Sequence, residues 1–115
     1  MEILRTMNNE ELTKKELYRL TMSDCNISVK NIEDGEHLTV SNYCEYMDID
    51  SKGKEQHLVS IKTDKGYVAT NSETFIRNFL KIADLFEEEG TFTIVKTSGT
   101  TKNDKPFVNC TLADD

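Results

Sequence analysis

The sequence predicts a mainly β fold with helices: an antiparallel barrel of five or six strands closed by one helix, with a further helix at the N-terminus. Three observations carry this expectation. Apolar and polar residues alternate in several short runs between residues 25 and 112. Turn signals such as Asp34-Gly35 and Asp64-Lys65-Gly66 separate those runs at close spacing. One run, Phe75 to Phe86, repeats its apolar residues at helical spacing instead.

Residues 1–22 read as helical. Thr13 and Glu16 stand at capping-box spacing, and Leu12, Leu17, Tyr18 and Leu20 give a partial apolar face. From Cys25 the period changes to two, with Cys25, Ile27 and Val29 alternating against polar neighbours. After the Glu33-Asp34-Gly35 turn, a long strand is expected. It would carry Leu38, Val40, Asn42, Cys44 and Tyr46 on one face and Thr39, Ser41, Tyr43, Glu45 and Met47 on the other. Residues 48–54 form a loop. His57, Val59 and Ile61 alternate again, and Tyr67-Val68-Ala69 is a short strand after the second tight turn; the two runs are either separate strands or one bent strand.

The second helix is read from Phe75, Ile76, Phe79, Leu80, Ile82, Ala83 and Phe86, one broad stripe suited to a barrel mouth. Thr70 and Glu73 form a capping-box pair, with Asn71 and Ser72 as rival caps, and Gly90 stands where a C-terminal glycine is expected. Glu87, Glu88 and Glu89 sit at the negative end of that helix, where acidic side chains are unfavourable, and the pattern supplies no folding reason for them. A last hairpin pairs residues 91–97 with 105–112 across a turn-rich connection, and Pro106 opens the return strand.

A chain of 115 residues, 37% hydrophobic and 30% charged, forms one domain. Residues 1–22 are its helical segment and residues 25–112 its core. No apolar stretch approaches the ~20 residues of a membrane-spanning helix. No secretory signal pattern is visible, so a cytoplasmic protein without membrane association is expected. Cys25, Cys44 and Cys110 are odd in number and far apart, which argues for buried thiols over disulfides. His37 and His57 lack ligand spacing, so neither metal nor cofactor is expected. Phosphate-binding loops, nucleophile elbows and zinc-protease motifs are absent, and the chain does not read as an enzyme.

The net charge of −7 opposes bulk capture of nucleic acid, but the charge is unevenly spread. Lys52, Lys54, Lys62 and Lys65 cluster around one hairpin, and Lys96, Lys102 and Lys105 around the last one. Tyr43, Tyr46, Tyr67 and Phe107 fall on strands or strand starts. Bases stack on such rings whatever their identity, although strand aromatics more often pack in the core. The element order fits an oligonucleotide-binding (OB) fold, five strands with a helix before the final pair.

Three segments resemble the small single-stranded DNA-binding proteins of tailed phages that infect Gram-positive bacteria. They are Asn31-Ile32-Glu33-Asp34-Gly35 running on to Tyr46, Asp64 to Ser72, and Ser98 to Phe107. The resemblance covers about residues 25–112, and the order of the segments is more specific than any one of them. It implies an OB-like fold and sequence-independent coating of single-stranded DNA in viral replication. It also implies stacking by Tyr46 and Tyr67, with Lys102, Lys105 and Phe107 matching the hairpin less tightly. Tyr43, Lys52, Lys54, Lys62 and Lys65 complete the candidate surface. Asp104 stands where a glycine is commoner in that family, the 48–55 loop carries no tyrosine, and residues 1–22 have no counterpart. The last are expected to serve self-association or to hold a replication or host protein. The rival reading is a phage module that inhibits a host or defence factor through the acidic stretches 36–51 and 84–89.

Overall fold

Seven strands and two helices make up the computed structural model, which describes residues 1–22 and 26–113. In chain order they are β1 (Glu2–Thr6), α1 (Lys14–Thr21), β2 (Ile27–Ser28), β3 (His37–Ile49), β4 (Glu55–Thr63), β5 (Gly66–Thr70), α2 (Glu73–Phe86), β6 (Phe92–Thr100) and β7 (Pro106–Leu112). The strands form one curled sheet in the order β2-β5-β4-β3-β6-β7, with β1 added alongside β3. The sheet is mixed, not antiparallel throughout: β2 runs parallel to β5, Ile27 opposite Val68 and Ser28 opposite Ala69. Val29, expected to continue that strand, begins a short 3-10 turn and is buried. Cys25 lies outside the described residues. β4 and β5 are two separate strands joined at the Asp64-Lys65 turn, with Gly66 at φ 112°.

The first correction concerns residues 1–22, which are not one helix. Only Lys14–Thr21 is helical, and Glu2–Thr6 is a strand. The physical reason is a backbone edge. β6 pairs only with residues His37 to Val40 of β3, which leaves the same edge of β3 unpaired further along. β1 fills that edge, from Thr6 opposite Cys44 to Glu2 opposite Met47. Buried backbone groups need partners, and this demand overrides the weak helical pattern. The chain then turns through Asn8 and Asn9, both left-handed at φ 56°, a conformation asparagine tolerates well. In α1 the Thr13 side chain accepts from the Glu16 N–H at 3.1 Å, the expected cap. Leu20 is fully buried with Cys44 and Tyr46, and Leu12 packs against them, while Tyr18 stays exposed.

The second correction concerns β3. Simple alternation puts Tyr43 opposite Leu38 and Val40, and Tyr46 with them. The register with β4 shifts between Val40 and Asn42, a β-bulge that inserts one residue. One extra residue reverses the facing of everything after it. Tyr43 therefore joins Leu38 and Val40 in the main core, while Cys44 and Tyr46 pass to the opposite face under α1.

α2 packs against the sheet and buries Phe75, Ile76, Phe79 and Ala83 in the core. Its N-cap is Ser72, one of the two rivals, which accepts from the Phe75 N–H at 3.4 Å, and not the expected Thr70. Phe79 is the centre of the packing. Its ring lies 5.1 Å from Tyr43 at 87°, 6.2 Å from Phe75 nearly parallel, and 5.9 Å from Phe92. Aromatic pairs in these geometries add stability beyond the area they bury. Glu87 has a clear structural role. It accepts the Tyr43 hydroxyl and, at 3.0 Å, the Asn8 N–H, and it pairs with Arg5 at 3.2 Å. Burial first, then the Glu87 carboxylate, pushes the Tyr43 phenol pKa well above its ordinary value. Arg5 also pairs with Asp84 at 2.6 Å, so β1 and the end of α2 are tied together through charge. His57 on β4 ties the other end of α2: its ring nitrogens lie 2.6 Å from Glu45 and 3.0 Å from Glu73.

Two outcomes follow from these ties. Glu87→Ala leaves a buried hydroxyl and an amide without their acceptor and Arg5 with Asp84 alone, and urea denaturation should register a loss of about 3 kcal/mol. Glu88→Ala and Glu89→Ala, at exposed positions, should change stability by less than about 0.5 kcal/mol. Burial alone would lower the His57 pKa, but the hydrogen bonds to Glu45 and Glu73 raise it above the ordinary value. A raised folded-state pKa stabilises below the unfolded value and is lost as pH rises through the folded one. Unfolding free energy compared between about pH 6 and about pH 9 should therefore fall more for the parent protein than for His57→Gln.

Candidate nucleic-acid interface

The sheet curls without closing. β5 pairs with β4 on one side and with only the two residues of β2 on the other, and β7 pairs with β6 alone. Between β5 and β7 runs a groove of about 740 Å³. Ala69 to Ser72 and the β2 segment line one side, and Lys96, Ser98 and Pro106 to Val108 line the other. The Ser72 hydroxyl donates to the Val108 carbonyl at 3.4 Å and links the two walls. A volume of this size accommodates a nucleotide-sized ligand.

The candidate aromatic residues divide sharply. Tyr43 is wholly buried, its ring against Phe79 and its hydroxyl on Glu87, so it has no face to offer a base. Tyr46 is only 3% exposed, and its hydroxyl meets Ser60 at 3.1 Å. Burial raises its pKa above the ordinary value. Both are packing residues with no ring face open for the stacking expected of them. Tyr67 is half-buried; it packs on the cluster of Leu20, Cys44 and Tyr46 and donates its hydroxyl to Glu16 at 3.0 Å. Phe107 is half-buried and lines the groove. Its ring lies over Gly99 on the paired strand, where a Cβ would come within 2.8 Å of it. A side chain at position 99 would push the ring out of place, so the glycine fixes how Phe107 lies.

The candidate lysines divide too. Lys62 lies 3.8 Å from Glu16, and Lys65 lies 3.4 Å from Glu36 and donates to the His37 carbonyl at 3.2 Å. Both are engaged within the chain. Lys52 and Lys54 belong to the β3–β4 loop, whose shape is set by Asp50: its carboxylate accepts both lysine N–H groups at 2.9 Å. Lys102 and Lys105 belong to the β6–β7 loop, where Asp104 adopts a left-handed φ of 57° in the place of a glycine. These four side chains make no ion pair among the described residues.

Two groove lysines were missed as site residues by sequence reasoning. Lys30 is exposed on the short turn after β2, and no sequence signal singles it out. The charge pattern places Lys96 only within a basic hairpin. The signal for more was present: Phe92, Ile94 and Lys96 share one face of β6, and the first two are core residues. Lys96 is the one buried cation among the described residues, 4% exposed. It pairs with Asp34 at 2.7 Å, and Ser98 donates to the same carboxylate. The hydrogen bonds from Lys96 and then Ser98 hold the Asp34 pKa below its ordinary value.

The buried thiols behave as expected for structural cysteines. Burial pushes Cys44 up to about 11 and Cys110 up to about 12, so neither is a ready nucleophile. Among the described residues no group of three or more His, Cys, Asp or Glu side chains is arranged to hold a metal ion. No described helix is long and apolar enough to cross a membrane. Comparison with protein-family models, with curated proteins and with solved structures finds no match for this chain.

Proposed function

We propose that this chain is an OB-like single-stranded DNA-binding protein that coats DNA in the cytoplasm during phage replication. The observation that carries the reading is the open groove between β5 and β7, bordered by Phe107 and by lysine side chains. The order of the elements is compatible with an OB plan. β3, β4 and β5 form a meander, α2 follows, and β6 returns to the first half of β3 before β7. OB folds bind oligonucleotides on the face of their second and third strands and with the loops after strands one and four. The matching parts here are β4 and β5, the loop carrying Lys52 and Lys54, and the loop carrying Lys102 and Lys105. The phage and replication context comes from the resemblance of the three sequence segments alone.

In this reading one base stacks on Phe107, Tyr67 gives a partial second platform, and the four loop lysines, which make no ion pair among the described residues, neutralise phosphates. The rival reading through acidic stretches is less well supported, because half of those carboxylates are held in ion pairs within the chain. Glu36 holds Lys65, Glu45 holds His57, and Asp84 and Glu87 hold Arg5.

Fluorescence anisotropy of a labelled oligo(dT) at low salt tests the reading; no binding there would sink it. Phe107→Ala should weaken binding by about 1–3 kcal/mol, the usual worth of one base–aromatic stack. Tyr43→Phe should leave affinity unchanged and lower stability by about 1 kcal/mol, the worth of its hydroxyl's hydrogen bond. Replacing Lys102 and Lys105 together by alanine should reduce the salt dependence of log K by about 1.4, two phosphate contacts on a single strand.

A further inference from the structure

Lys96 has an unusual arrangement for a buried charge. An ammonium group removed from water needs a close partner, and buried lysines are otherwise rare. The partner here is Asp34, whose side chain is 57% exposed, against 5% for that of Lys96. Asp34 stands at the tip of a tight turn, next to Gly35 at φ 88°. That turn is attached to β6 by the main chain: the Gly35 N–H donates to the Lys96 carbonyl at 2.8 Å, and the Lys96 N–H donates to the Glu36 carbonyl at 3.0 Å. The turn therefore keeps its position whatever the Asp34 side chain does. Lys96 and Ser98 both line the groove. An ammonium and a hydroxyl two residues apart on one face of a strand, both donating to the same carboxylate, offer donors equally suited to a phosphate oxygen.

We propose that Lys96 Nζ and Ser98 Oγ form a phosphate seat in the groove, which the Asp34 carboxylate fills in the free protein and a backbone phosphate of single-stranded DNA takes over on binding. This rests on the reading of the groove as a DNA interface. The exchange keeps Lys96 paired at every stage, so the buried charge is never left alone. It moves Asp34, already largely hydrated, into water at small cost. It also makes binding weaker than the lysines alone would give, because each binding event gives up an internal ion pair in exchange for the phosphate contact. Ligands without a phosphate, such as a free nucleoside, have nothing to offer the seat and leave Asp34 in place.

Anisotropy titration of labelled oligo(dT) against the parent protein, Asp34→Asn, Glu33→Gln and the double variant Asp34→Asn/Lys96→Gln decides the matter. Asp34→Asn should bind about tenfold tighter, since one charge-assisted contact no longer has to be broken. Glu33→Gln makes the same charge change at the neighbouring exposed position, and it should shift affinity by less than about twofold. In the double variant the gain should vanish. A gain no larger than that of Glu33→Gln, or one that survives in the double variant, overturns the seat while leaving DNA binding by the groove intact. Silence of the parent and all variants overturns both. Asp34→Asn removes the partner of a buried charge and can fail to fold, so the parent protein gives a second measurement. The Asp34 side-chain carboxyl carbon resonance, followed by NMR, should move towards that of a free aspartate as oligo(dT) saturates the protein. An unmoved resonance at saturation overturns the proposal.

Discussion

The structure depends on one strand being shared by everything else. β3 pairs with β4 along most of its length, with β6 at its first four residues and with β1 further along. A strand used this way must serve two differently oriented parts of a curled sheet, and the bulge between Val40 and Asn42 lets it do so. It bends the strand and reverses the facing of its second half. Leu38, Val40 and Tyr43 then reach the core under α2, and Cys44 and Tyr46 reach the separate cluster under α1. Without the inserted residue, Tyr43 would point away from Phe79 and Glu87, and Cys44 and Tyr46 would take the core face in its place.

The charged groups near the helix ends act on this frame. Glu87 gathers β1, the turn after it and Tyr43 around the end of α2, and His57 joins Glu45 of β3 to Glu73 at its start. An acidic residue at a helix C-terminus is unfavourable for the helix alone. Here the cost is offset by an arginine, a hydroxyl and a backbone amide converging on the carboxylate. Much of the acidic character that sets the net charge of −7 is thus internal wiring. Four lysines without an ion pair among the described residues sit in two hairpin loops, and Lys30 and the buried Lys96 line the groove, so an acidic protein still presents cationic positions.

Much of the architecture was legible from residue pattern. The caps at Thr13 and in the Thr70–Glu73 stretch, the apolar stripe of α2 and the turns at Gly35 and Gly66 are local features. Each is decided within a few residues, and each occurs where the pattern indicated, apart from the exact cap of α2. The candidate site was less legible. Phe107 and the loop lysines lie on exposed or half-exposed backbone, as turn chemistry suggested. Tyr43 and Tyr46 did not remain candidates, because strand alternation says that a ring faces one side or the other but not which side is covered.

The sequence by itself determined the β-rich class, the single capped helix before the last hairpin, the absence of familiar catalytic motifs and the clustering of lysines around two turns. These follow from short-range periodicity and composition, which the chain carries locally. The tertiary structure alone decided that residues 2–6 form a strand, that a bulge buries Tyr43, that Glu87 is a hub and that β5 and β7 stay apart. Each of these is a matter of which distant backbone edge or carboxylate is left without a partner, and a linear pattern does not encode that until the sheet has formed.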